Sequence, residues 1–522
     1  MMRGKGYIAL LLAILMLIGI AGCGTELKDK SGDEPGKKNE LQETEENAET
    51  REEESTGQEE KTDGQKEDEE VIIPVDESVF TEFITRDGDK LMEGDKEFRF
   101  ISASVPELLA IESPSWRIPD PFEQEDAIKT IVQMGGRVTR PYVISVKKET
   151  DPPDMKRHVM GPGEFDEDFF RAMDKALQLC NKYGVRIIIP LVDFHQWQGG
   201  IREYAAFRNR GGNSFWTNPQ IIEDFKATID YVLNRTNVYT GVKYKDDKAI
   251  LAWETGNELF PSNPAWTRKI AEYIKSIDPN HLVIDGSYGI QDASLEDPNI
   301  DIVSNHYYPD ERGKDFAERC RKDREKAKGK KAFIVGEFGL TNTDNIRALL
   351  DEVIENGTSG ALIWSLRQHS KDGGFLYHTE GVREDGVEYR AYNWPGFPFG
   401  DGYDETTVLH LLREKAYEIQ GLPVPPLPKP EPPTLLPINS AIISWRGSVG
   451  ASSYDIERAE SEDGPWTVIG KDVSDSVPPN TPLFVDFQAV MGDGYYYRVK
   501  AKNSAGESDY SNVVKSPGQG ED

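Results

Sequence analysis

Eight short apolar runs recur between residues 98 and 366, and the stretches between them repeat their apolar positions every three to four residues. The runs are FRFISA (98–103), RVTRPYVI (137–144), VRIIIPLVD (185–193), AILAWE (249–254), HLVIDG (281–286), DIVSNHY (301–307), AFIVGEF (332–338) and GALIWSL (360–366). Segments such as DEDFFRAMDKALQLCNKYG and NPQIIEDFKATIDYVLNRT carry the helical period. Strands this uniformly apolar are buried on both faces, as in a parallel sheet covered by helices. Eight of them in series predict an α/β fold of the (β/α)₈ TIM-barrel type. An open doubly wound sheet is disfavoured, because no Gly-rich phosphate loop follows an early strand. FITRDGDKLMEGDKEF, ahead of the first run, reads as a hairpin that closes the bottom of the barrel.

The pattern changes at both flanks. MMRGKGYIALLLAILMLIGIAGCG places Arg3 and Lys5 before an apolar run and small residues before Cys23, the layout of a secretory signal. Its ending, Ile20-Ala21-Gly22-Cys23, resembles a bacterial lipobox, which implies lipidation at Cys23 and a cell-surface lipoprotein held on a bacterial membrane. Residues 24–77 form an acidic linker, nearly free of apolar side chains up to residue 71 and expected to be a disordered tether. The barrel spans 78–421, and the Pro-rich linker 422–434 reads as an extended, stiff spacer. Over 435–517, AIISW, SSYDIERA, WTVIG, PLFVDF and GYYYRVKAKN alternate between Gly, Pro, Ser and Asp turns, which predicts a small all-β immunoglobulin-like sandwich. The segment resembles a fibronectin type III domain, with Trp445 in its core and Tyr495 as its corner tyrosine.

The formal charge of −31 excludes nucleic acid as a partner, since phosphate neutralisation needs clustered cations. Beyond Cys23 only Cys180 and Cys320 remain, too few for a disulfide framework, and no ligand spacing suggests a metal or another cofactor. Cys180 reads as a buried helix residue.

Barrel enzymes present their chemistry at the carboxyl ends of the strands. Here the fourth strand ends in Asn257 and Glu258, the sixth in His306, Tyr307 and Tyr308, the seventh in Glu337 and the eighth in Trp364. Arg140 lies in the second, and the third ends in DFHQW. Two carboxylates on different strands of one rim suit glycosidic bond cleavage, which needs one protonated donor and one anion. An indole can stack under the apolar face of a sugar. Glu254, four residues before Glu258 and still within its strand, lies on the order of 13 Å lower at extended spacing. It reads as a buried structural acid that needs a partner such as Arg137 or Arg140.

WETGNE, HYYP, VGEFG and IWSLR, in this order, resemble glycoside hydrolase family 5 over residues 78–421. NSFWTNPQ, RTNVYTGVKYKDDKAILAWETGNE, DGGFLYH and YNWPGF look like the endo-β-1,4-mannanases of that family. The resemblance implies a retaining endo-glycosidase that cuts internal linkages of mannan, glucomannan or galactomannan through a covalent glycosyl–enzyme intermediate. Glu258 would be the acid/base and Glu337 the nucleophile. Asn257 would hold the substrate 2-hydroxyl, Arg140 would keep Glu337 ionised and Tyr308 would hydrogen-bond to it. His306 would sit between the carboxylates, and Trp364 would floor the subsite before the cut. No cofactor is implied, the partners are a β-linked polysaccharide and the membrane, and the chain is expected to be monomeric. Two departures stand out: Leu259 and Phe260 follow Glu258 where related mannanases carry Pro and often Arg, and DFHQWQGG replaces an Asn-Trp pair. His195 and Trp197 are therefore candidate sugar contacts, with a structural histidine as an equal reading of His195. The alternatives are a cellulase or other β-1,4-glycanase of the same family, a non-catalytic glycan-capturing lipoprotein, and a solute-binding lipoprotein of two lobes.

Overall fold

All eight expected strands form: β1 Phe100–Ser104, β2 Val138–Arg140, β3 Arg186–Pro190, β4 Ile250–Glu254, β5 Leu282–Asp285, β6 Ile302–Tyr307, β7 Ala332–Phe338 and β8 Gly360–Ile363. They pair parallel in chain order, and β8 closes on β1 to complete the barrel. The computed structural model describes residues 72–518 apart from 113–114, 311, 384, 399–403, 440, 480 and 491–492. The expected leader, with Cys23 as the expected lipidation site, and the expected acidic linker up to residue 71 lie outside the described residues. Among those described, no helix is long and apolar enough to cross a membrane.

Eight helices wrap the strands: α1 Pro121–Gln133, α2 Glu167–Tyr183, α3 Pro219–Asn234, α4 Pro264–Ile277, α5 Asp292–Glu296, α6 Phe316–Ala327, α7 Thr343–Asn356 and α8 Glu405–Glu418. Three of them start at an Asp-Pro or Asn-Pro pair. Asp120, Asn218 and Asn263 accept from backbone N–H groups of the first turn, while the proline ring presets φ one position on. Cys180 is buried in α2, and burial raises its thiol pKa. The second strand is shorter than its apolar run because Pro141 offers no N–H to continue the ladder. The expected hairpin is present as Ile84–Asp87, Lys90–Glu93 and Lys96–Glu97. It carries Ile84, Leu91 and Phe98 into one apolar cluster with Phe100, Val138 and Ile188, which seals the bottom of the barrel.

The register between β6 and β7 matters most for the top of the barrel. Asn305 faces Val335, but the next pair is His306 with Glu337, so β7 carries one extra residue, Gly336. Such a bulge re-aims the side chains beside it. A Cβ on Gly336 would stand 2.4 Å from Ser304 Oγ and 2.8 Å from His306 Nε2, so only glycine fits.

The C-terminal segment is all-β. Its main sheet runs 467–473, 453–459, 496–503 and 506–507, with 514–515 also on 496–503. Trp445, Tyr454, Ile456, Tyr497 and Val499 form its core. Tyr495 stands just before the strand and is half-buried. Two residues on, Tyr497 is enclosed, and its hydroxyl donates to Asp486 Oδ2 at 3.1 Å. The Pro-rich segment does not hold this domain away from the barrel. The Pro425 carbonyl accepts from Arg413, the Pro428 carbonyl accepts from Asn503, and Lys129 of α1 pairs with Glu431.

A buried imidazole joins the two domains. His369, on the loop after β8, places Nδ1 2.8 Å from Asp126 Oδ1 of α1 and Nε2 3.1 Å from Asp475 Oδ2 of the β-domain. Burial opposes the charge, yet the two carboxylates lift its pKa to about 10. Because the folded pKa lies above the unfolded one, this contribution to stability is complete below about pH 6.5 and is lost as pH climbs through about 10. His369→Ala is expected to cost about 3–5 kcal/mol at neutral pH, since it strands two buried carboxylates. The loss should shrink above pH 10. Thermal unfolding of both proteins from pH 6 to 11 measures it, and a deficit independent of pH would refute the histidinium clamp.

Candidate active site

The base of the site is one guanidinium. Arg140 ends β2 and is enclosed, with Nε 2.7 Å from Glu254 Oε2, Nη1 2.8 Å from Glu337 Oε1 and Nη2 2.8 Å from Asn257 Oδ1. It lies beneath the carboxylates and is not among the residues that line the cleft, and its contact with Glu337 is the one expected. Burial weakens its charge, but Glu254 and Glu337 raise its pKa beyond the ordinary value. Glu254 is the structural acid expected, and Arg140 is its partner. Arg137 pairs with Glu93 at the barrel bottom instead.

After Glu254 the chain leaves the ladder. The Asn257 N–H donates to the Val192 carbonyl, and Asn257 Nδ2 donates to Asp193 Oδ1 at 3.1 Å. Glu258 follows at φ 49°, a left-handed conformation that strains a residue with a Cβ and is common where geometry serves chemistry. Its Oε1 is 2.7 Å from His306 Nδ1 and its Oε2 2.7 Å from His195 Nε2. His195 is therefore a partner of Glu258, a role the sequence reading did not assign. Opposite, Glu337 Oε2 accepts from the Tyr308 hydroxyl at 2.6 Å and lies 3.4 Å from His306 Nδ1. His306 thus sits between the two carboxylates as expected. Single ligand atoms of Glu258, His306 and Glu337 all lie within 4.8 Å of one another. Such a trio has the donors to hold a cation, and Arg140 already supplies positive charge beside it.

The environments of the pair differ. For Glu258 burial favours the neutral acid, but hydrogen bonds from His195 and His306 prevail and hold its pKa below the ordinary range. For Glu337 burial prevails over His306 and Arg140, and the charge of Glu258 adds to the rise. Hydrogen bonding to Glu258 raises the His195 pKa, and the two glutamates raise that of His306 against burial. The four groups titrate together. His195 and His306 each place a ring nitrogen within hydrogen-bond distance of Glu258. Protonating Glu258 removes its repulsion of Glu337, while the Arg140 charge and the Tyr308 hydrogen bond each act to lower the Glu337 pKa.

A cleft of about 890 Å³ opens above the pair. Its wall is aromatic: Trp364, at the end of β8, has Tyr142 at 5.8 Å and Trp197 at 6.4 Å, and Trp197 reaches His378 at 5.1 Å. Trp364 Nε1 donates to Glu380 Oε1 at 2.6 Å, which fixes the indole. Tyr142, Asp193, His378 and Glu380 belong to the site but were not singled out from sequence. Tyr142 and Asp193 carry a rim signal, since Asp193 closes its apolar run and Tyr142 lies two residues past the end of β2. His378 and Glu380 lie on a long loop without periodicity. Phe260, next but one to Glu258, is 56% exposed, with its ring 6.1 Å from Phe194.

Residues 81–335 match the family model for glycoside hydrolase family 5, β-mannosidase-like. The match stops short of Glu337 and β8, so the place of Glu337 rests on geometry. Mannan endo-1,4-β-mannosidase 7 of Arabidopsis thaliana is 34% identical over 195 residues, covering 31% of this chain and 45% of the relative. Mannan endo-1,4-β-mannosidase 3 of the same plant is 29% identical over 266 residues, 42% of this chain and 64% of the relative. The crystal structure of a glycoside hydrolase family 5 mannosidase from Rhizomucor miehei superposes with a TM-score of 0.52 at 19% identity, over 65% of this chain and 98% of that one, which supports the fold. The chain thus spans less than half of the first of these curated relatives. Residues 81–335 are thus similar to the β-mannosidase-like enzymes of glycoside hydrolase family 5.

Proposed function

We propose that the protein hydrolyses internal β-1,4-mannosidic linkages of mannan, glucomannan or galactomannan with retention of configuration. The observation that carries this reading is the pairing of Glu258 and Glu337 across the cleft, with carboxylate oxygens inside 4.8 Å. A separation of about 5–5.5 Å between carboxyl groups leaves no room for a water between nucleophile and anomeric carbon, so the enzyme carboxylate itself attacks. Glu337, held as an anion by Arg140 and Tyr308, bonds to the anomeric carbon while Glu258 protonates the leaving oxygen. Glu258 then takes a proton from the water that releases the sugar. Sugar binding expels water and disfavours the charged Glu258–imidazole pairs, which moves the proton onto Glu258 when it is needed. The signal segment supports action at an outer membrane surface through lipid on Cys23, and the β-domain reads as a fibronectin type III-like sandwich.

A panel of mannan, galactomannan, glucomannan and cellulose, with product sizes recorded, tests the substrate. Oligosaccharides from mannans are expected, and exclusive cleavage of cellulose would overturn the substrate assignment. NMR of the first product should show the β anomer; an α product would refute retention. His195→Ala should raise the Glu258 pKa and move the alkaline limb of kcat/KM up by about one pH unit, the worth of one charge-assisted hydrogen bond. An unmoved limb would assign His195 to substrate contact alone.

A further inference from the structure

We propose that the C-terminal β-domain is a working part of the substrate cleft: it seats the loop after β8, through Asp475 and His369, so that the far end of that loop holds Trp364 in place. The inference deepens the glycosidase reading and rests on it for its kinetic consequences.

The loop makes two excursions between β8 and α8. Its root is tied to the barrel, where the Leu366 N–H donates to the Ser104 carbonyl and Arg367 Nε lies 3.2 Å from Glu107 Oε2, both side chains buried. Beyond the root, residues 369–375 form a tight turn, with a bridge between His369 and Phe375 and the Phe375 ring stacked on the imidazole at 3.9 Å. Barrel contacts to this turn come from α1, where Asp126 meets His369 and Glu123 Oε1 accepts from the Lys371 N–H. The β-domain supplies the other side of the seat. Asp475 meets His369, and Arg446 donates to the Lys371 carbonyl.

The fit there is close enough to exclude side chains. A Cβ on Gly447 would fall 2.2 Å from His369 Cδ2 and 2.5 Å from Asp475 Oδ2, and one on Gly373 would fall 3.1 Å from the Trp445 carbonyl oxygen.

The turn continues directly into the cleft wall. The Leu376 N–H donates to the Gln368 carbonyl, and His378 packs on Trp197 and pairs with Glu112 at 2.8 Å. The hairpin Thr379–Val382 with Glu388–Arg390 then presents Glu380, the acceptor of the Trp364 indole N–H. The return path is also held by the β-domain, because Ser476 Oγ donates to Asn393 Oδ1 at 3.1 Å. One face of the β-domain therefore grips both the outgoing and the returning limb of a loop whose middle lines the cleft.

The test uses full-length Asp475→Ala and Gly447→Ala, which disturb the seat from different residues and leave every cleft residue unchanged. Hydrogen exchange is read without substrate at the N–H groups of residues 376–392, several of which are bonded only within the loop. Exchange is expected to rise at least tenfold there, with barrel strands unaltered. KM for mannohexaose should rise about five- to tenfold while kcat stays within about twofold, and Asp475→Glu should restore part of the loss. Faster exchange confined to 369–375 and 444–447, with residues 376–392 and KM unmoved, would overturn the proposal. If one variant fails to fold, the other decides. Failure of the wild-type chain to cleave any mannan would remove the glycosidase reading, and the exchange result would still stand or fall by itself.

Discussion

Glu337→Gln is expected to lower kcat by roughly four orders of magnitude or more on every substrate, because it removes the carboxylate that bonds to the anomeric carbon. Glu258→Gln should cost about 10²–10⁴-fold on polysaccharide, the usual worth of proton transfer to a poor leaving group. The two losses differ in a measurable way. An aryl mannoside with an acidic phenol leaves without help, so the Glu258 variant should recover the first chemical step on it, while the Glu337 variant should not. Burst kinetics with a dinitrophenyl glycoside separate them. The fold should survive both changes, since the glutamine carbonyl still accepts from Arg140 or from the imidazole it replaces as partner. Recovery by the Glu337 variant, or near-wild-type turnover by either one on mannan, would refute the assignment of roles.

The barrel was legible because its signal is repeated. Eight apolar runs with helical stretches between them leave few alternatives, and one misplaced boundary, as at Pro141, does not alter the count. The rim residues were legible because chemistry in this architecture collects at strand ends, where His306, Tyr308 and Glu337 stand. What stayed hidden was pairing. His195 offered no means of distinguishing a sugar contact from a structural histidine, and its actual partner, Glu258, lies just beyond the end of the next strand. Gly336 looked like an ordinary glycine in VGEFG until the register showed that it lets His306 and Glu337 meet. The loop after β8 gave least, since its residues follow no period and their partners lie on α1 and in the β-domain. The surface under the Pro-rich segment stayed hidden for a related reason: composition describes how stiff a chain is, but says nothing of the surface it lies on.

Arg140→Met is expected to be the most damaging substitution outside the carboxylate pair, and it divides architecture from chemistry. The side chain is 1% exposed and holds Glu254, Glu337 and Asn257 at once. Its loss leaves buried Glu254 without a counter-charge and Glu337 with His306 alone, a situation that costs about 3–5 kcal/mol or forces protonation. Arg140 lowers the Glu337 pKa, so removing it raises that pKa further. The nucleophile is then neutral over more of the pH range, and the acid limb of kcat/KM should move upward, with residual activity surviving only at alkaline pH. Arg140→Lys should recover little, because an ammonium is a point charge that cannot reach three acceptors as a planar fork does. Adding Glu254→Gln to Arg140→Met removes one stranded charge, so thermal stability should return in part while turnover at neutral pH stays low. That split follows from Glu254 being a structural acid and Glu337 a reacting one. If Glu254→Gln instead restored activity along with stability, Arg140 would serve the site only by holding the barrel together, and the tuning of Glu337 would have to come from His306 and Tyr308 alone.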